Sequence, residues 1–139
     1  MKRWTKAALL AALVMSSVAS DASATTKKAY INQYVLIMDF TERAMLWVEK
    51  HKDDPALGLA AQEMAETNIK LLQDISPPKD FIEIHPHLVS IVENSANAFE
   101  AVASGSPAAF YQYKKNVSKE RKAMFDVMRE LNFVFPAII

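Results

Sequence analysis

One stripe of small and apolar residues, between Asp80 and Val102, sets the strongest limit on how this chain can fold. Its members recur three and four residues apart, which is the spacing of one face of an α-helix: Phe81, Ile84, Leu88, Ile91, Val92, Ser95, Ala96, Phe99 and Val102. Such a stripe is unfavourable in water, so other parts of the chain must cover it. We therefore expect the remaining segments to supply covering helices.

Three further segments show helical periodicity, and helix-ending residues separate them. We predict helices over Lys27–His51, Pro55–Ile75 and Pro107–Asn132, in addition to the central one. Asp-Pro, Ser-Pro-Pro and Ser-Gly-Ser-Pro sequences between them are typical of helix caps and stops. Short connections place successive helices antiparallel. The predicted fold is an all-α, antiparallel up-down-up-down four-helix bundle.

The start of the third helix has two solutions. Asp80 and Glu83 have the spacing of a capping box, which would start the helix at Phe81. Pro86 would then remove a backbone hydrogen bond and bend the helix axis. The alternative is a short turn followed by a main helix from Pro86.

The apolar stripes of the other helices indicate which faces should be buried. For the second helix the stripe is Leu57, Ala60, Ala61, Met64, Asn68, Leu71, Leu72 and Ile75. For the fourth it is Phe110, Tyr113, Val117, Met124, Phe125, Met128 and Leu131. For the first it is Ile31, Tyr34, Val35, Met38, Thr41, Met45 and Val48, and Leu36, Phe40 and Trp47 lie off it. We expect the bundle to cover this second apolar face, with a partner protein as the alternative.

Residues 1–24 have the three parts of a secretory signal peptide. Three basic residues precede the nine-residue apolar run 7–15, and Ala22-Ser23-Ala24 is a cleavage pattern. Because a membrane-spanning helix needs about 20 apolar residues, a permanent anchor is not expected. We predict a mature domain over 25–139, periplasmic or secreted, and not a lipoprotein because no cysteine follows the cut.

The charge balance argues against nucleic acid, and its distribution is uneven. Removing three bases and one acid with residues 1–24 leaves 13 bases and 15 acids, a balance of −2. Residues 53–100 hold nine acids and two bases, whereas residues 114–130 hold six bases and three acids. We expect the acidic segment to face away from the fourth helix. The basic surface would meet an acidic protein or an anionic membrane surface, or only solvent: Lys114, Lys115, Lys119, Lys122 and Arg129.

Polar residues near the midpoints of the helices indicate a second candidate site. Antiparallel packing would bring them to one level as a polar layer that fixes helix register: Glu42, Asn68, Asn94 and Arg121. A charge buried there needs a partner, so we expect Arg121 to pair with Glu42 or Glu93.

His85 and His87 are the candidate metal ligands. Imidazoles next to carboxylates bind Zn²⁺ or Cu²⁺, although an i, i+2 pair points in different directions on a helix and also suits surface or capping histidines. A haem attachment motif is impossible without cysteine. The sequence has no Glu-x-x-His pair, phosphate loop or nucleophile elbow, so we expect no cofactor and no enzyme.

The apolar tail 133–139 is expected to fold over the open end of the bundle, with an exposed docking peptide as the alternative. Prolines 77 and 78, His85 and the Gly105-Ser106-Pro107 break resemble many small exported bacterial helical proteins of unknown function. This resemblance implies a periplasmic or secreted bundle. Periplasmic immunity proteins are similar in size, export and helical content. We expect a protein-binding module, in an inhibitor, immunity or chaperone-like role; a carrier of a small ligand or metal is the alternative.

Overall fold

The computed structural model describes residues 25–133, and this part of the chain contains four α-helices and no strand. The helices are α1 (Lys27–Lys50), α2 (Pro55–Asp74), α3 (His85–Ala103) and α4 (Pro107–Glu130), and a short 3₁₀ helix, Lys79–Phe81, precedes α3. The all-helical, four-helix prediction is confirmed. The predicted signal peptide and the tail residues 134–139 lie outside the described residues. Between residues 25 and 133, no helix combines the length and the apolar character that crossing a membrane requires.

Local cap chemistry determines where the helices begin and end. Asp54 caps α2 by accepting a hydrogen bond from the Leu57 amide at 3.2 Å, and Pro55 occupies the first turn. After α3, Gly105 has a φ of +74°, and the amides of Gly105 and Ser106 donate to the carbonyls of Val102 and Ala101. This is a Schellman motif, which satisfies carbonyls that the helix leaves free. Asn132 ends α4 in the same way, with a φ of 57°.

The start of α3 follows the second solution, a short turn and then the main helix. The predicted capping box does not form. Pro78 and Ile84 are the N-cap residues of the 3₁₀ helix and of α3, and neither helix has a side-chain capping hydrogen bond. Phe81 and Ile84 are both fully buried. The amide of Phe81 donates to the carbonyl of Pro78, and the amide of Ile84 donates to the carbonyl of Phe81, so both residues enter the core with their amides hydrogen-bonded.

Helix α3 is the centre of the bundle. Every member of the stripe predicted from Phe81 to Val102 is buried, and Ala98 and Ala101 outside the stripe are buried as well. Helices α2 and α4 pack closely on α3, while bulkier side chains such as Tyr30 and Met38 hold α1 further from it. The core therefore surrounds α3 on several sides.

Paired residues show the directions of the helices. Glu42 and Glu49 of α1 contact Arg121 and Lys114 of α4, respectively, so these two helices run antiparallel. Asn94 and Asn116 lie at the same level of α3 and α4.

Three expectations about packing are wrong. The buried face of α2 consists of Gly58, Ala61, Ala65 and Leu72, and Met64 is exposed, because small side chains let α2 approach α3 closely. Phe125 and Leu131 of α4 are also exposed rather than buried. The acidic segment does not turn away from α4 as a whole, because α3 packs directly on α4.

Candidate functional site

A seam of ion pairs joins α1 to α4 and contains two residues of the predicted polar layer. Glu42 accepts from the guanidinium of Arg121 at 2.7 Å, and Glu49 accepts from Lys114 at 2.6 Å. The side chains of the first pair are about one third exposed, so the pair lies at the edge of the core and not at its centre. The Nε atom of Arg121 is buried and has no hydrogen-bond partner among the described residues. Burial first, and the nearby Glu42 carboxylate second, raise the pKa of Tyr34 to about 12.

The two asparagines of the predicted layer lie elsewhere. Asn94 donates to the carbonyl of Ser90 at 2.9 Å and accepts from the amide of Asn116 at 3.3 Å, which links α3 to α4. Asn68 is half-buried on α2. The structure thus brings Arg121 and Glu42 together, whereas the hydrogen bonds of Asn94 go to Ser90 and Asn116.

His85 connects three helices from within the bundle. Its Nε2 lies 2.9 Å from the carbonyl oxygen of Leu72 in α2, which can only accept, so Nε2 carries the hydrogen. Its Nδ1 therefore accepts from the hydroxyl of Tyr30 in α1, also at 2.9 Å. Burial lowers the pKa of His85, while the hydrogen bond to Leu72 acts in the opposite direction. Both ring nitrogens are engaged inside the fold, which is a structural role.

His87 points to a different neighbour. Its Nδ1 lies 3.0 Å from a carboxylate oxygen of Glu120 in α4, so the two candidate metal ligands make separate contacts. Within residues 25–133, no group of three or more histidine, cysteine or acidic side chains could hold a metal ion. No observation in the described part of the chain favours the alternative of a metal carrier.

The outer face of α1 exposes apolar side chains, so the expected burial of this face within the bundle is wrong. Leu36, Leu46 and Trp47 are 67%, 60% and 60% exposed, and Phe40 is half-buried. Leu36, Phe40, Arg43 and Trp47 recur at helical spacing, on a flank of α1 turned away from the seam with α4. We call Leu36, Phe40, Arg43, Leu46 and Trp47 the α1 outer face. The imidazole of His51 lies edge-on to the Trp47 ring, with centroids 6.1 Å apart.

The outer face of α4 combines cations with exposed aromatic rings. Six residues of this face recur three and four positions apart along α4. We call them the α4 outer face: Tyr111, Lys115, Lys119, Lys122, Phe125 and Arg129. Tyr111 and Phe125 are 46% and 42% exposed. Lys52 donates to the Tyr111 hydroxyl, and this hydrogen bond raises the pKa of the Lys52 ammonium.

Of the five basic residues predicted as one surface, Lys115, Lys119 and Lys122 have no acidic partner among residues 25–133. Lys114 pairs with Glu49 across the seam, and Arg129 pairs with Asp126 at 2.6 Å on its own helix. Sequence reasoning missed the aromatic members of this face, because it assigned Phe125 to the core. Their spacing from the lysines would have placed them on the same side of the helix.

Comparisons of the chain with protein families, with curated proteins and with solved structures find no match. The α1 outer face and the α4 outer face are the features of the described residues that bear on function.

Proposed function

We propose that this chain is an exported, non-enzymatic protein, an up-down-up-down bundle preceded by a cleaved signal peptide, that binds a partner protein through the α1 outer face. An inhibitor, immunity or chaperone-like role in the periplasm or outside the cell would use such a face. The observation that carries the proposal is the exposure of Leu36, Leu46 and Trp47 on one helix. Clustered exposed apolar side chains are typical of protein-binding surfaces.

The composition of the face fits a protein interface. Covering an exposed leucine or tryptophan contributes about 1.5–3 kcal/mol for a large apolar side chain. Tryptophan and arginine are the residues that most often dominate interface energetics, and Trp47 and Arg43 lie one helical turn apart. Asp39 holds the Arg43 guanidinium at 2.8 Å. The face therefore presents an aromatic anchor beside an oriented cation.

Contacts with α3 and α4 hold α1 in place, so a partner could bind it without a large loss of conformational entropy. The ion pairs of Glu42 and Glu49 hold one flank of α1 to α4. The bond from Tyr30 to His85 ties its first turns to α3. A surface that is already ordered loses less conformational entropy when it binds.

Burial in the fold accounts for the shifted pKa values of three side chains near the core. Burial raises the pKa of Tyr30 and Tyr34 and lowers that of His85. Tyr30 and Tyr34 are buried in the core, and the half-buried His85 is hydrogen-bonded to Tyr30. Such shifts are also typical of structural hydrogen-bond networks.

Site-directed crosslinking tests the proposal. A photo-crosslinking amino acid replaces Trp47 in cells that produce the chain, and the matched control carries it in place of Gln73, an exposed residue of α2. We expect one protein to be crosslinked from position 47 and not from position 73. The purified partner should then bind the native chain and lose at least a hundredfold in affinity for the Leu36→Ser, Trp47→Ala double variant. Equal crosslinking from both positions, or unchanged affinity, would contradict the proposal.

Export is tested separately, by mass spectrometry of the chain recovered from a bacterial host. We expect a mature N-terminus at Thr25. A chain that keeps residues 1–24 and stays in the cytosol would contradict export without bearing on the binding face.

A further inference from the structure

We propose that the α4 outer face binds the surface of an anionic phospholipid membrane. This face is separate from the α1 outer face, because the ion-pair seam of Glu42 and Glu49 with α4 lies between them. The inference therefore does not depend on the proposed protein partner.

Other residues between positions 25 and 133 do not neutralise the charge of this face. Glu120 of α4 is engaged by His87, and Asp126 by Arg129. In the part of the chain that the structure describes, no carboxylate forms an ion pair with Lys115, Lys119 or Lys122. Three ammonium groups therefore remain exposed along less than two turns of one helix, and they favour an anionic partner.

The type of cation favours a membrane over an acidic protein. Arginine forms planar, two-point contacts with carboxylates, whereas lysine is a flexible point charge without directional preference. Arg121 and Arg129 already contact carboxylates inside this chain. The groups left outward are lysines, which suit the diffuse negative charge of a lipid surface better than a directed ion pair.

The aromatic rings lie at both ends of the lysine row. Tyr111 and Phe125 are 14 residues apart, or about 21 Å along a helix that rises 1.5 Å per residue. Both rings are close to half exposed. Aromatic rings are enriched at the headgroup level of membranes, and lysines beside them attract anionic lipids. Lys52, held against Tyr111 with its ammonium 4.7 Å from the ring centroid, adds a fourth cation at one end.

Vesicle sedimentation tests the inference on the chain recovered after export. The probes are vesicles of phosphatidylcholine alone and vesicles in which about a third of the lipid is phosphatidylglycerol, at low and at high salt. We expect binding to the anionic vesicles only, weaker at high salt because salt screens exposed charges. The stripe variant is Lys115→Gln, Lys119→Gln, Lys122→Gln. Since each basic residue near an anionic surface contributes about 1 kcal/mol, it should bind roughly a hundredfold less.

A charge-matched variant controls for net charge. Lys50→Gln, Lys70→Gln, Lys79→Gln removes three exposed lysines from other parts of the surface, and it should retain most of the binding. Circular dichroism should show native helicity in both variants. Equal weakening in the two variants would overturn the inference, as would a native chain that does not bind anionic vesicles. Soluble polyaspartate is the probe for the other class of partner: binding to polyaspartate without binding to vesicles would assign the face to an acidic protein instead.

Discussion

The hydroxyl of Tyr30 donates to Nδ1 of His85 across 2.9 Å, and these two residues are 55 positions apart in the chain. Because the other ring nitrogen of His85 donates to the Leu72 carbonyl, one neutral imidazole joins α1, α2 and α3 at the same end of the bundle. The ring of Phe81 stacks on Tyr30 with centroids 4.8 Å apart and covers this network with an apolar group. A protonated ring could not accept from Tyr30, so the arrangement depends on the charge state of His85.

We expect the free energy of unfolding to fall as the pH decreases below about 6.5. The pKa of His85 is lowered in the fold because of burial, so the unfolded chain takes up the proton at a higher pH than the folded chain does. The stabilisation from the neutral ring is therefore fully present above the unfolded pKa and is lost as the pH falls through the folded one. Urea unfolding at several pH values between 7.5 and 5 measures this slope.

Two variants separate His85 from the other titrating groups. His85→Gln removes the titration and should flatten part of the slope, at a cost of about 1–3 kcal/mol at pH 7.5 from unsatisfied buried partners. His51→Gln, at an exposed position after α1, is the control for replacing a histidine outside this network. If His85→Gln keeps the native pH dependence, the imidazole of His85 is not its source.

Gly58→Ala should destabilise the protein by about 1–3 kcal/mol, although alanine is the better helix former. A Cβ atom at this position would lie 2.7 Å from the backbone nitrogen of Ala103 and 3.0 Å from the carbonyl oxygen of Phe99. Backbone atoms cannot move aside as a side chain can, so α2 and α3 would have to separate. Thermal unfolding measures the loss. A more stable Gly58→Ala variant would show that α2 and α3 have room for the added methyl group.

Gly105→Ala tests a different property of glycine. Apart from Gly105 and its two chain neighbours, no described atom lies within 4 Å of a Cβ built there, but the φ of +74° is unfavourable for any residue with a side chain. We expect a cost of about 1–2 kcal/mol from backbone conformation alone. Because Gly58 packs on the last turn of α3, which Gly105 closes, the two costs should not simply add in the double variant.

Local chemistry explains how much of the fold could be predicted from the sequence. The Asp54-Pro55 start of α2 and the Gly105 end of α3 depend on a few adjacent residues, and both formed as expected. The α3 stripe was also predictable, because a helix buried around its centre has apolar residues at every core position. The buried face of α2 could not be predicted, because Gly58 and Ala65 are small and weakly hydrophobic whereas Met64 is strongly hydrophobic. Only the close approach of α3 makes the small residues the buried ones.

The candidate sites were less predictable because their chemistry depends on distant partners. The sequence around His85 left a metal ligand and a surface or capping histidine open, and the contacts with Tyr30 and Leu72 show instead a structural role between three helices. Arg121 had two candidate partners, and the antiparallel register of α1 and α4 selects Glu42. Trp47 is exposed because it lies on the side of α1 turned away from the seam with α4, and the pattern within α1 left burial and a partner protein both open.

A double-mutant cycle should assign the pair of Glu42 and Arg121 a coupling energy of about 1 kcal/mol, near the upper end for partly exposed ion pairs. The variants are Glu42→Gln, Arg121→Met and their combination, followed by urea unfolding. The pair of Asp126 and Arg129 is the control, because it is more exposed and lies within one helix. We expect about 0.3 kcal/mol there. Equal coupling in the two pairs would show that the seam does not hold α1 to α4.

Changes in the α1 outer face should leave stability nearly unchanged. Leu36→Ser and Trp47→Ala should each shift the free energy of unfolding by no more than about 0.5 kcal/mol, because these side chains are mainly in solvent. Met38→Ala on the same helix should cost about 2–5 kcal/mol, since Met38 is fully buried. Comparable losses at positions 36 and 38 would mean that the bundle, and not a partner, covers the outer face.

Phe133 should contribute to stability although it lies beyond the last helix. Its ring stacks on Phe81 with centroids 5.0 Å apart, and the ammonium of Lys27 lies 5.4 Å from its centroid. The Asn132 turn directs Phe133 onto the core. We expect Phe133→Ala to cost about 1–3 kcal/mol by urea unfolding, from lost burial and lost stacking. Leu131→Ala, at a neighbouring exposed position, should cost about 0.5 kcal/mol or less. A chain ending at Asn132 should lose at least as much as Phe133→Ala does; unchanged stability would show that nothing after α4 closes this end of the bundle.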